Sequence, residues 1–287
     1  MPSSGRRLAS PGLDFVEEYA VSARRFVATV AGSDLRAPVP GCPGWTAYDL
    51  VTHLGNVHAW AATIVETGRR AAQQNDEPRT RRPRVVADWY AGKAEDLLAV
   101  LRAADPHQPC WNFVFGDGPD SRARFWSRRQ LHETVIHQGD LDAAAGCEPQ
   151  AEQSAPGVVA ADGVAEVLGV FLKLMHDRGH PARLAAPLCL VAEDTRDTWT
   201  LTPRPGGEQA PAVPAGPPQV VERRHRAVPH HPAQAAPHHP AQPDRVEAPS
   251  GVLHRLLWRR LPPDDPQVRL VGNRDRLTAF LQSPLTP

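Results

Sequence analysis

Lysine is nearly absent from this chain. Only Lys93 and Lys173 occur among 32 basic residues, and these balance 32 acidic ones to a formal net charge of zero. A surface built to hold phosphates needs an excess of positive charge, so the balance argues against a nucleic-acid or anionic-membrane binder. Cysteine is scarce too: Cys42, Cys110, Cys147 and Cys189 stand far apart and form no CxxC. That spacing argues against a thiolate metal site or a disulfide framework and reads as four reduced thiols. No apolar run approaches the roughly 20 residues that span a bilayer. The segment MPSSGRRLASPG carries two arginines with no apolar stretch behind them, so no signal peptide and a cytoplasmic location are expected.

What is present is enough for two domains of ordinary size: 287 residues, 41% of them hydrophobic. Apolar residues recur at helical spacing in four segments, the first opened by Ser10-Pro11 and running to Gly32. The second follows the Pro/Gly-rich PVPGCPGW, with Thr46 and Asp49 as a capping box and a stripe that includes Leu50, His53, Leu54, Val57 and Trp60. His58 falls off that stripe and reads as a surface residue. Residues 69–84 read as a solvated Arg-rich loop, the third helix covers about Val85 to Ala103, and WNFVF sits in a long loop whose aromatics pack back onto the bundle.

The fourth segment, FWSRRQLHETVIHQGDLDAAAG at 125–146, carries the chemistry. Glu133 and His137 are four residues apart, about 40° around a helix, where a core face would ordinarily bury Leu or Val. Such a pair is either a hydrogen-bonded polar island or two ligands of one metal. HETVIH looks like the HExxH of zinc proteases but is one residue too long, since His132 and His137 lie about 140° apart. The usable set is His53, Glu133 and His137, a His₂Glu pattern with a fourth position open. Taken alone, His53 reads as a satisfied core histidine rather than a ligand.

Beyond a fifth helix, Ala160 to Leu174, the period changes to that of strands: Leu188–Val191 and Thr198–Thr202 form a hairpin. The fifth helix either packs on the bundle or leads into this second, α+β domain. From Pro203 to Pro249, twelve residues are Pro and PHHPAQ occurs twice, so 204–248 is expected to be disordered. A helix at Gly251–Arg260, a strand at Val268–Val271 and a helix at Arg274–Leu281 follow. The chain is therefore divided into a helical bundle at 1–174 and a smaller α+β domain at 175–287.

VPGCPGWTAYDLVTHLGNVHAW at 39–60, the 125–146 segment, AADGVAEVL at 160–168, and LHRLLWRRLPPDD with VRLVGNRDRLTAFL resemble the mycothiol-dependent maleylpyruvate isomerase family. The resemblance implies a DinB-like antiparallel bundle followed by an α+β domain, here interrupted by the Pro/His tract where further strands would stand. It implies an actinobacterial enzyme with a divalent metal, zinc, held by His53, Glu133 and His137. Asp140, at the family's HxxD position, would orient a ligand, or else serve as a helix-surface charge or the partner of an arginine. The implied cofactor is the low-molecular-weight thiol mycothiol, and the implied partner a small electrophilic substrate undergoing thiol transfer or cis/trans isomerisation. A non-catalytic metal-binding module and a metal-dependent hydrolase are the competing functions.

Overall fold

Helix α1 (Phe15–Gly32) starts where the Asp14 carboxylate accepts hydrogen bonds from the backbone N–H groups of Val16 and Glu17. Those are two of the donors that every helix start leaves open. Asp14, rather than Ser10-Pro11, is thus the cap; residues 10 and 11 lie outside the described part of this computed structural model, which covers 12–147, 155–203, 219–225 and 243–287. Helix α2 (Ala47–Thr67) opens on the expected capping box: Thr46 N–H donates to Asp49 Oδ2 at 2.8 Å, and Asp49 N–H donates to Thr46 Oγ1 at 3.4 Å. Gly68, at φ 69°, closes it in the left-handed conformation that glycine adopts without strain. Helices α3 (Pro83–Ala103) and α4 (Arg124–Ala144) complete an antiparallel bundle.

α1 packs on α3 and α4, and α2 packs on the same two, so the order around the core is α1, α3, α2, α4. The apolar stripes meet inside: Tyr19, Phe26, Leu50, Leu54, Ile64, Tyr90, Leu97, Trp126 and Leu131 are all fully buried. Each such side chain contributes about 1.5–3 kcal/mol relative to exposure. The bundle therefore tolerates polar groups on one helix face without losing its shape.

Three loops complete this unit. Pro38 and Thr46 pair as an antiparallel bridge, and Trp45 N–H donates to Cys42 O, so PVPGCPGW is a closed turn. The Arg-rich stretch is tied to α2 by Asn56 and Asp76, whose side chain and backbone exchange two 3.0 Å hydrogen bonds, and by Trp60 Nε1–H donating to Ala71 O. The long loop after α3 packs back as expected, with Trp126 Nε1–H donating to Trp111 O at 2.7 Å.

The residues described divide into two compact units, the first ending at Ala155 and the second running from Pro156 onward. The fifth helix thus belongs with the second unit, not with a bundle extending to residue 174. It is α5 (Gly157–Glu166), a π-helical turn at Val167–Phe171, and α6 (Leu172–Asp177). Strands β1 (Leu188–Ala192) and β2 (Asp197–Thr202) form the expected hairpin, with Arg196 at φ 60° in its turn. The interval expected to be disordered supplies two further strands, β3 (Gln219–His225) and β4 (Asp244–Ala248). Its residues 204–218 and 226–242 lie outside those described. With β5 (Arg269–Val271) the sheet runs β3-β2-β1-β4-β5, parallel between β1 and β4 and antiparallel elsewhere. Backbone pairing overrides composition here: β3 finds β2, and β4 finds β1 and β5, so the ladder satisfies groups that an isolated Pro-rich segment leaves to water. Helix α7 (Ser250–Leu257) packs on α5, and α8 (Arg274–Leu281) ends the unit. Among the described residues no helix is long and apolar enough to cross a membrane.

Candidate metal centre

α4 buries an unusual set of side chains. Arg129, Gln130, His132, Thr134, His137, Gln138 and Asp140 are all buried. A helix loaded this way is stable only if its polar groups find partners. Gln130 and Thr134 meet α2 and α3 through His58, whose Nδ1 lies 2.7 Å from Gln130 Oε1 and whose Nε2 lies 3.0 Å from the Tyr90 hydroxyl. His58, placed on the surface by its sequence position, is in fact fully buried. Burial pushes its pKa down to about 4 against the hydrogen bond it donates to Gln130, so the ring is neutral. The acceptor Gln130 Oε1 then fixes the proton on Nδ1, and Tyr90 donates to Nε2.

One helical turn further along α4, His53, Glu133 and His137 come together. Glu133 Oε1 lies 3.4 Å from His53 Nε2 and 3.4 Å from His137 Nε2, and the two imidazole centroids are 5.4 Å apart. One donor atom from each of the three falls within 4.8 Å of the others. Ligands about 2.0–2.2 Å from a tetrahedral zinc stand about 3.4 Å from one another, so the spacing suits a first-row divalent ion. His53 is the open side of the cluster, with a side chain 32% exposed, while His137 is 8% exposed.

The surroundings hold each member in place. Arg129, one turn before Glu133, reaches Glu133 Oε2 at 2.5 Å and leaves Oε1 for the two histidines. Burial opposes the Glu133 charge, but Arg129 and hydrogen bonds from His137 and His53 outweigh it and hold the carboxyl well below the ordinary range. His137 Nδ1 lies 3.0 Å from Asp140 Oδ2. Burial works against a charged His137, yet Asp140, Cys42 and Glu133 together hold its pKa well above the usual value. Trp45, from the closed turn, sets its ring 4.9 Å from that of His53.

The three residues singled out in the sequence are therefore gathered in one place, and Asp140 is buried against His137 rather than on the helix surface. His132 is kept apart as its angular position requires, stacking edge-on against Phe15. Two members of the environment were missed. Arg129 was legible as an (i, i+4) partner of Glu133. Cys42 was not: its Sγ lies 3.5 Å from Asp140 Oδ2, across 98 positions of sequence. The cysteine spacing gave no sign of this proximity, because the turn carries Cys42 to α4.

Residues 16–142 match the family model described as the mycothiol maleylpyruvate isomerase N-terminal domain. No curated protein matches the chain. Two crystal structures are similar in fold. One is the mycothiol-dependent maleylpyruvate isomerase, at TM-score 0.54 and 13% identity over 94% of this chain and 95% of that one. The other is a mutant of the mycothiol-dependent maleylpyruvate isomerase, at TM-score 0.53 and 12% identity over 89% of this chain and 91% of that one. The helical unit of this protein is thus similar to the mycothiol maleylpyruvate isomerase N-terminal domain.

Proposed function

We propose that the chain is a metal-dependent enzyme in which His53, Glu133 and His137 hold one divalent ion, zinc by the donor set, and in which a low-molecular-weight thiol of the mycothiol type is the cofactor. The observation that carries this reading is the convergence of one carboxylate oxygen on two imidazole nitrogens at 3.4 Å each. Two neutral imidazoles and one carboxylate leave a tetrahedral ion with a position for a further ligand, the pattern of catalytic rather than closed structural sites. When bound, such an ion supplies the Lewis acidity that takes a thiol as thiolate at neutral pH.

The chain's own residues prepare that chemistry. Arg129 holds the far oxygen of Glu133, so the carboxylate offers a single oxygen. Asp140 holds the Nδ1 proton of His137 and aims Nε2 toward Glu133. His53, the more exposed member, marks the side from which thiol and substrate approach. The reaction class that fits is attack of the thiol sulfur on an electrophilic carbon. It ends either in transfer of the thiol or in reversible addition to a conjugated double bond, with rotation and expulsion giving cis/trans isomerisation. The substrate is accordingly a small electrophile.

Metal content and thiol affinity measured on the same purified samples test the reading. One equivalent of metal with thiol-dependent turnover of an electrophile is expected. Metal binding without any thiol response would leave a non-catalytic metal-binding module, and turnover independent of thiol would make the protein a metal-dependent hydrolase.

A further inference from the structure

The closed turn Pro38–Thr46 places a sulfur beside the candidate centre, within reach of His137 and Asp140. Asp140 Oδ2 lies 3.0 Å from His137 Nδ1 and 3.5 Å from Cys42 Sγ, and Cys42 also hydrogen-bonds His137. One donor atom from each of Cys42, His137 and Asp140 lies within 4.8 Å of the other two. These donors do not depend on ligand-induced folding. His137 and Asp140 are one turn apart on α4, and Cys42 is fixed by its N–H donating to Val39 O and its carbonyl accepting from Trp45 N–H, both at 3.0 Å. Asp140 and His137 are buried, whereas Cys42 is partly exposed, so an ion has a route in.

The geometry points to a second metal seat, formed by Cys42, His137 and Asp140, that takes a soft divalent ion and cannot be filled together with the first. A neutral imidazole has one lone pair and one N–H. With Nε2 facing an ion at His53 and Glu133, Nδ1–H donates to Asp140. With Nδ1 facing an ion at Cys42 and Asp140, Nε2–H donates to Glu133 Oε1, 3.4 Å away. The same ring serves either seat, one ion at a time. Binding in the second seat breaks the Cys42 S–H bond and the His137 Nδ1–H bond, forms the sulfur–metal and Nδ1–metal bonds, and releases both protons to solvent, while Nε2–H stays toward Glu133. Sulfur favours soft ions, while the His₂Glu set has no such preference.

Cadmium titration of the intact protein tests this, with the thiolate-to-metal absorption band as readout. Wild type is expected to develop the band, saturating at one equivalent. His53→Ala should keep the full band, because the second seat does not use His53. Cys42→Ser should lose it while still binding one equivalent of zinc through the first seat, a result that also shows the variant is folded. Peptide mapping after alkylation should find Cys42 protected by cadmium in wild type and in His53→Ala. The proposal is overturned if wild type gives no band, or if the band survives in Cys42→Ser. It is equally overturned if His53→Ala abolishes the band, because all the donors would then belong to one site. Loss of zinc binding in His53→Ala with the cadmium band intact would support the second seat whatever the fate of the thiol-dependent activity.

Discussion

Nδ1 of His137 lies 3.0 Å from Oδ2 of Asp140, one turn along the same helix. The contact holds a buried ring in one orientation, with Nε2 facing Glu133. Replacing Asp140 by Ala frees the ring from that orientation. Zinc affinity is expected to fall about 10–100-fold, with far-ultraviolet circular dichroism unchanged. Competition with a chromophoric chelator measures it; an unaltered affinity would mean that Asp140 does not orient the ligand.

Arg129 is 3% exposed and pairs with Glu133 at 2.5 Å. In Arg129→Met the carboxylate, its side chain 15% exposed, keeps its position without that guanidinium, so the metal-free protein should lose on the order of 3 kcal/mol. A bound divalent ion restores a positive partner. The difference in melting temperature between zinc-loaded and metal-free protein should therefore be larger in the variant than in wild type. Equal zinc-induced shifts would count against a metal beside Glu133.

His58 links stability to pH. Its folded-state pKa of about 4 lies below the ordinary value of 6.5, so as pH falls the unfolded chain takes up the proton first. The contribution is fully present above about pH 6.5 and is lost progressively as pH falls toward about 4, reaching roughly 3 kcal/mol. His58→Gln removes this contribution. Urea midpoints of metal-free protein between pH 7 and 4.5 should decline less steeply in the variant, and identical slopes would refute the assignment.

In the second unit, Asp194 accepts hydrogen bonds from Ser250 N–H at 2.8 Å and from the Ser250 hydroxyl at 2.6 Å, at the start of α7. The carboxylate serves as a cap borrowed from the β1–β2 turn. Asp194→Ala should cost about 1–2 kcal/mol, read as a lower unfolding midpoint for this unit, with zinc affinity unchanged.

Local rules made much of this protein legible without coordinates. Glu133 and His137 fall on one helix face because four residues turn a helix by about 40° beyond a full circle. Thr46 and Asp49 announce a helix start because a side-chain oxygen three residues from a free N–H has a short path to it. The β1–β2 hairpin follows from alternation and turn chemistry. These signals act within a dozen residues, and periodicity alone carries them.

Only the tertiary structure decided the rest. His58 is buried because α3 and α4 bring Tyr90 and Gln130 to both of its nitrogens, partners 32 and 72 positions away that no helical wheel displays. β3 and β4 form inside a Pro-rich interval because neighbouring strands supply the backbone hydrogen bonds that its composition cannot. Cys42 reaches His137 because a turn closed by its own backbone meets α4, an encounter encoded in packing rather than spacing. Periodicity fixes which residues share a face; which faces meet depends on long-range burial, and that is settled only when the whole core assembles.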